Sequence, residues 1–233
     1  MKGLQNYVCL DLETTGLNPK KDRIIEIGLV KVREGKVVDR FSTLLDPRQK
    51  LEKKVEEITG IKEEELKGKP LLKEVLPDVL EFLGEEVLLG HSVLFDYSFL
   101  KRACTNEKIP FERKAIDTLK IARKVVTDCE SKSLESLCSH YGIEYKAHRA
   151  LSDACATVKL YGILCEQYYQ EDLFAPKQLN FRIKKESPIN RAQRERLTAL
   201  CEKHKIQLDM EIASLTRNEA SRQIDRILST YGK

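Results

Sequence analysis

From Asn6 to Glu13 the chain is mostly apolar, which predicts a strand buried on both faces. "RIIEIGLVKV" (Arg23–Val32) and "VVDRFSTLL" (Val37–Leu45) read as the next two strands, with Gly35 marking a short hairpin turn between them. Three strands with short connections suggest an antiparallel meander. The period then changes. "LLKEVLPDVLEFL" (Leu71–Leu83) has helical spacing, and Pro77 is expected to kink it or begin a new turn. "EVLLGHS" (Glu86–Ser92) reads as a short strand, "DYSFLKRACTNE" from Asp96 as a helix, and Ala115–Asp117 as another short strand. Ser133–Gly142 and Ala150–Tyr169 have helical spacing, the first stopped by Gly142. This order fits an α/β protein, a mixed sheet with helices on its faces.

Periodicity fades in "EDLFAPKQLNFRIKKESP" (Glu171–Pro188), which carries two prolines and a basic cluster. The expected organisation is a main domain over 1–170, a linker over 171–187 and a small helical module over 188–233. The module holds two helical patterns, about Ile189–His204 and Arg217–Tyr231, the second opened by the capping-box spacing of Thr216 and Glu219. Two helices this short make a very small core, so the module is expected to pack on the main domain or on a partner.

Composition narrows the class. With 233 residues, 41% hydrophobic and 33% charged, the chain reads as a soluble globular protein of one ordinary domain plus an appendage. No signal peptide and no membrane-length apolar run are visible, so a cytoplasmic protein with no membrane partner is expected. The seven cysteines form no Cys-x-x-Cys pair and are odd in number, which favours reduced thiols over a disulfide framework or zinc site. Of 41 Lys+Arg and 37 Asp+Glu, 12 and 7 fall between Arg182 and Lys233, leaving 29 and 30 for the rest. The positive excess therefore lies in the C-terminal tail. Such a tail suits a polyanion partner, although on charge alone a solvated helical face is the favoured explanation.

The candidate chemistry begins in "YVCLDLETTGLNP" (Tyr7–Pro19), where Asp11 and Glu13 interrupt the apolar run. Side chains two apart on a strand share a face, so the two acids form a pair at the strand's C-terminal end. Burying two carboxylates together is costly unless a positive partner joins them. Asp96 in "GHSVLFDYSFL" opens a helix, where an aspartate has the ordinary job of capping. Asp153 in "HRALSDA" lies near a helix start, with His148 five residues earlier. Each has an unremarkable explanation singly; the ordered set does not.

The set Asp11-x-Glu13, Asp96 and His148-x-x-x-x-Asp153 resembles the three motifs of the DnaQ-like DEDDh 3′→5′ exonucleases, the family of the proofreading subunits and domains of bacterial replicative polymerases. "DLETTGLNP" is similar to the first motif, "GHSVLFDYSFL" to the second and "HRALSDA" to the third. "ITGIKEEELKGKP" (Ile58–Pro70) is similar to the loop after the third strand. The resemblance covers about Asn6 to Tyr168.

What the resemblance implies is specific. The fold would be a ribonuclease H-like mixed sheet. Asp11, Glu13, Asp96 and Asp153 would converge on two divalent ions, Mg²⁺ or Mn²⁺, with Asp11 bridging and Asp96 in the outer ligation. His148 would be the general base; the family's other branch has tyrosine four residues before the last acid, where this chain has Arg149. Thr14, Thr15 and Gly16 would meet the terminal 3′ hydroxyl, Leu17 would wedge against the last base, and His91 and Phe95 would line the nucleotide pocket. For Leu17 and Phe95, core packing is the competing explanation; His91 competes with a simple backbone bond. The expected activity is metal-dependent 3′→5′ hydrolysis of single-stranded or frayed DNA with little base preference. A polymerase or another replication or repair protein is the expected partner. An RNA-trimming or oligoribonucleotide-degrading enzyme shares the same chemistry, and a non-catalytic nucleic-acid-binding module is the reading from another class.

Overall fold

The computed structural model describes residues 3–208 and 211–232. The chain divides into two compact units, Met1–Ile183 and Lys184–Lys233.

In the first unit, strands β1 (Tyr7–Thr14), β2 (Ile24–Arg33), β3 (Lys36–Leu44), β4 (Leu88–Gly90), β5 (Lys114–Asp117) and β6 (Lys177–Gln178) form one sheet in the order β3-β2-β1-β4-β5-β6. β1 to β3 are the antiparallel meander; β4 joins β1 and β5 joins β4 in parallel, and β6 closes the edge antiparallel. Between β3 and β4 lie α1 (Lys53–Thr59), α2 (Glu63–Leu66) and α3 (Leu72–Leu83). α4 (Leu94–Asn106) links β4 to β5, and α5 (Thr118–Val125), α6 (Leu134–His140), α7 (Ala150–Tyr168) and α8 (Glu171–Phe174) lead to β6.

The alternation of β1 decides where its acids go. Val8, Leu10 and Leu12 pack with Leu76, Val79, Leu83, Tyr97 and Leu100 of α3 and α4. Tyr7 and Cys9 pack on the opposite face with Val30, Val32 and with Leu160 and Leu164 of α7. Asp11 and Glu13 continue the Tyr7–Cys9 parity, so they stand on the α7 face. A fully buried aliphatic side chain is worth about 1.5–3 kcal/mol. A one-residue slip of β1 would therefore forfeit both cores and drive the two acids in among α3 and α4.

Six elements differ from the sequence reading. α1, α2 and α5 form where the sequence predicts only connections. α5 is started by Asp117, whose side chain accepts the N–H groups of Leu119 and Lys120. α3 runs through Pro77 without interruption. The linker reading of 171–187 takes in too much. Phe174 of α8 is buried, β6 pairs with β5, and Leu179 donates its N–H to Arg113 at 2.9 Å while its side chain enters the core. A two-residue edge strand is too short to show a period, and Pro176 just before it removes no ladder bond.

The second unit consists of α9 (Arg191–His204), a 3-10 turn at Ile212–Ser214 and α10 (Arg217–Tyr231). Asn190 and Gln193 cap α9 reciprocally, as Thr216 and Glu219 cap α10. Ile189, Leu197, Leu200, Leu215, Ala220, Ile224 and Ile227 give the unit a small core of its own. Residues 209, 210 and 233 of this module and residues 1 and 2 of the main domain lie outside the described residues. Among the described residues no helix is long and apolar enough to cross a membrane.

Candidate active site

The register of β1 against β2 places Asp11 opposite Gly28 and Glu13 opposite Glu26, so all four share the face that α7 covers. Gly28 lets α7 come unusually close. A Cβ there would lie 2.2 Å from the backbone carbon of Ala150 and from the nitrogen of Leu151. That approach carries Asp153, in the first turns of α7, onto the strand acids. Ligand oxygens of Asp11, Glu13 and Asp153 all lie within 4.8 Å of one another.

Asp96 reaches the same neighbourhood from the first turn of α4. Its Oδ1 accepts the Leu12 N–H at 3.1 Å, which fixes it beside β1. It is not one of the three acids gathered above, but it acts strongly on the charge of Asp11.

The loop before α7 is tied down at successive residues. Lys146 donates its N–H to Ser152 Oγ at 3.0 Å and Arg149 donates its N–H to Asp153 Oδ2 at 2.8 Å. Ala150 donates its N–H to Glu26 Oε2 at 3.0 Å. Between these bonds sits His148, exposed and with φ of 59°, in the left-handed region that a histidine seldom occupies. The Arg149 guanidinium grips Glu26 through Nη2 to Oε1 at 2.9 Å and Nε to both oxygens at 3.2 Å.

Charge accumulates here with little relief. Burial, then the carboxylates of Asp96, Asp153 and Glu13, raise Asp11 well above the usual carboxylate range. Burial, then Asp153 and Glu26, push Glu13 up to about 8, with Arg149 opposing. Burial pushes Asp153 up to about 6 against the Arg149 N–H and His148, and burial also raises Asp96 well above its ordinary value. Such a group could hold hard divalent cations, and its all-oxygen donors fit an oxygen-preferring ion better than a thiolate–imidazole zinc site.

The other expected contact residues fall around this cleft in different states. Thr14 Oγ1 donates to the Gly16 carbonyl at 2.7 Å, and the Thr15 hydroxyl accepts the Arg23 N–H at 3.0 Å, so the turn is braced from within. Gly16 lies against the Asp22 carboxylate, 2.6 Å from where a Cβ would be. Leu17 is 85% exposed, which removes core packing as its explanation. Phe95 is half-buried and packs on Phe99 with ring centroids 5.1 Å apart. Both ring nitrogens of His91 are engaged inside the protein, Nδ1 with Thr118 Oγ1 and Nε2 with the Lys132 carbonyl, each at 2.9 Å. His91 thus anchors the segment before α6 and has no ring nitrogen left for a nucleotide.

Sequence reasoning passed over Glu26 and Gly28. The signal was present: Glu26 interrupts the apolar run "IIEIG" just as Asp11 interrupts "VCLDL". In the sequence Arg149 reads only as the residue standing where the family's other branch has tyrosine.

The comparisons agree with this geometry. A model of the RNase T exonuclease family, described as "Exonuclease", matches residues 8–161. A PolC-type DNA polymerase III of Clostridium perfringens is 37% identical over 176 residues, 75% of this chain but 12% of the polymerase. The chain thus spans about an eighth of these polymerases' length. The DNA polymerase III subunit epsilon of Aquifex aeolicus is 33% identical over 165 residues, 70% of this chain and 82% of that subunit. Among solved structures, exonuclease X in complex with 5′-overhanging duplex DNA is similar at a TM-score of 0.59 and 26% identity, covering 72% of this chain and 97% of that one. Exonuclease I shares the fold at a TM-score of 0.64 and 19% identity, covering 73% of this chain and 42% of that one. With the family model matched over residues 8–161, from β1 into α7, the chain belongs to the RNase T exonuclease family.

Proposed function

We propose that the chain is a metal-dependent 3′→5′ exonuclease acting on single-stranded or frayed DNA ends. The observation that carries this reading is the convergence of Asp11, Glu13 and Asp153 within 4.8 Å, with Asp96 fixed beside β1 and His148 acting on Asp153. Asp11, Glu13 and Asp153 would hold divalent cations, with Asp96 in the outer ligation. When bound, these ions supply Lewis acidity to the attacking water and countercharge to the phosphate and leaving oxygen. His148 takes the proton from water, a task suited to an imidazole at neutral pH. Attack at phosphorus breaks its bond to the 3′ oxygen of the preceding sugar and releases a nucleoside 5′-monophosphate.

The braced turn Thr14–Thr15–Gly16 offers backbone groups to the terminal 3′ hydroxyl. Leu17, already in solvent, wedges against the last base, and Phe95 lines the pocket. His91 serves through the segment it anchors. Recognition by sugar, phosphate and a stacked base carries little sequence information. The likeness to an exonuclease bound to DNA, and to polymerase III components, supports DNA as substrate and a replication or repair polymerase as partner.

The test uses matched single-stranded DNA and RNA oligomers labelled at either end, with Mg²⁺, Mn²⁺ or EDTA. Stepwise shortening from the 3′ end of DNA that requires metal is expected. Cleavage only from the 5′ end, a preference for RNA, or activity in EDTA would each overturn the reading as stated.

A further inference from the structure

Glu26 is a fifth acid at the site and unlike the other four. It is 2% exposed, and both of its oxygens are occupied by Arg149 and the Ala150 N–H. It is not among the acids whose oxygens gather with Asp153. It therefore stands apart from the proposed cation ligands, although it lies directly across the sheet from Glu13. The residues it grips are the two that follow His148. His148 holds a left-handed backbone, a conformation that costs free energy and persists only where its surroundings over-determine it. Gly28, two residues along β2 from Glu26, meets the same end of α7 without a side chain between them.

We propose that Glu26 is a positioning residue for the hydrolytic reaction. By clamping the Arg149 guanidinium and the Ala150 N–H, it locks the His148 backbone and the start of α7 onto β2. The general base and Asp153 are thereby set relative to the strand acids. The proposal rests on the exonuclease reading for its catalytic consequence, but the clamp itself is a property of the fold. Arg149 is the natural partner because its planar fork donates to both oxygens of one carboxylate, which a lysine would not reproduce. The bond spans 123 residues of sequence, so it ties the meander to the last motif directly.

The test compares the full chain with Glu26→Gln, Arg149→Met and the double substitution. Glutamine keeps an acceptor for the Ala150 N–H while removing the charge that holds the guanidinium. Arg149→Met keeps Glu26, so the two variants enter the pair from opposite sides. Amide hydrogen exchange at residues 149–151 is read first, with no substrate or metal present. Exchange there is expected to quicken about tenfold or more in each variant, while β1 and β4 stay protected. kcat for 3′-end hydrolysis is expected to fall about 10–100-fold with KM nearly unchanged, the usual scale for groups that orient primary ligands. The double variant should be no worse than the single ones, since both break one contact.

Unchanged exchange at 149–151 in both single variants overturns the clamp. Loss of protection throughout the sheet, with kcat per folded molecule intact, also overturns it and reduces Glu26 to a structural role. If the unsubstituted chain hydrolyses nothing, the exonuclease reading fails separately, and the exchange rates still decide the clamp.

Discussion

Glu13 and Glu26 face each other across adjacent strands, two acids of one kind on one face of one sheet. The chain provides for them differently. Glu26 is closed off from solvent with a guanidinium and a backbone N–H on its oxygens. Glu13 joins Asp11 and Asp153, and the charges acting most strongly on Asp11 are themselves carboxylates. An interior carboxylate with its own cation is a structural joint; removing the cation strands the buried Glu26 charge, whereas Arg149 is itself partly exposed. A set of carboxylates crowded together without one is costly to the fold and is tolerated where function needs it. The first arrangement is expected to stabilise the chain and the second to weaken it.

The substitutions that sharpen this contrast differ in the size of their effect. Asp11→Asn should lower kcat by about 10³-fold, the scale of losing a charge stabiliser at the reacting centre. In EDTA at pH 8 the same substitution should raise Tm by roughly 2–4 °C, about 1 kcal/mol in a chain of this size, because it relieves repulsion. Activity and stability would then move in opposite directions. A fall in Tm would show that the acids are not in mutual conflict. His148→Asn should lower kcat about 10²-fold with Tm almost unchanged, asparagine being chosen because it tolerates the left-handed backbone. A retained kcat would remove His148 as the base.

Arg149→Met belongs to the other side of the comparison. It should cost about 1–3 kcal/mol in chemical denaturation by stranding Glu26, and a neutral result would mean that the pair does not hold α7 down. Leu17→Ala, at an exposed side chain, should raise KM by up to about tenfold, leaving kcat and Tm alone. A change in kcat instead would move Leu17 from a wedge to a part of the reacting centre.

Protonation offers a further way to break the contrast. Glu13 and Asp153 have folded pKa values pushed up to about 8 and about 6. Between about pH 4 and 8 the folded form holds more protons than the unfolded chain, so stability from these groups is lost as pH rises through that window. The Tm in EDTA should therefore fall from pH 5 to pH 8, and Mg²⁺ should restore more at pH 8 than at pH 5. At a hundred times its dissociation constant a cation adds about 2.7 kcal/mol, roughly 5–11 °C here. An equal Mg²⁺ gain at both pH values would show that the acids are ionised without it.

The pairing of Asp11 with Glu13 is legible in the sequence because it is local. Asp11 and Glu13 are two apart on a strand, so spacing alone puts them on one face, whereas His148 and Asp153 at the start of one helix join them through the family resemblance. The joint between them was not legible. Glu26 and Arg149 are joined by folding across most of the unit, and no local period links them. In the sequence Asp117 reads only as the end of a strand, though it is the residue that starts α5. The stretch 171–183 was lost for the opposite reason: its contributions are one helical turn and two edge-strand residues, too short for any pattern.

The central claim is that burial and mutual repulsion make Asp11, Glu13 and Asp153 harder to ionise, so that a divalent cation displaces protons as it binds. Calorimetric titration of the chain with Mg²⁺ at pH 7, in two buffers of different ionisation enthalpy, measures that exchange directly. Binding should release about one proton or more per chain, and Asp11→Asn should weaken both binding and release. Binding with no proton release would mean that the carboxylates are already ionised at neutral pH, and the account of the site as an acid cluster awaiting its cation would be contradicted.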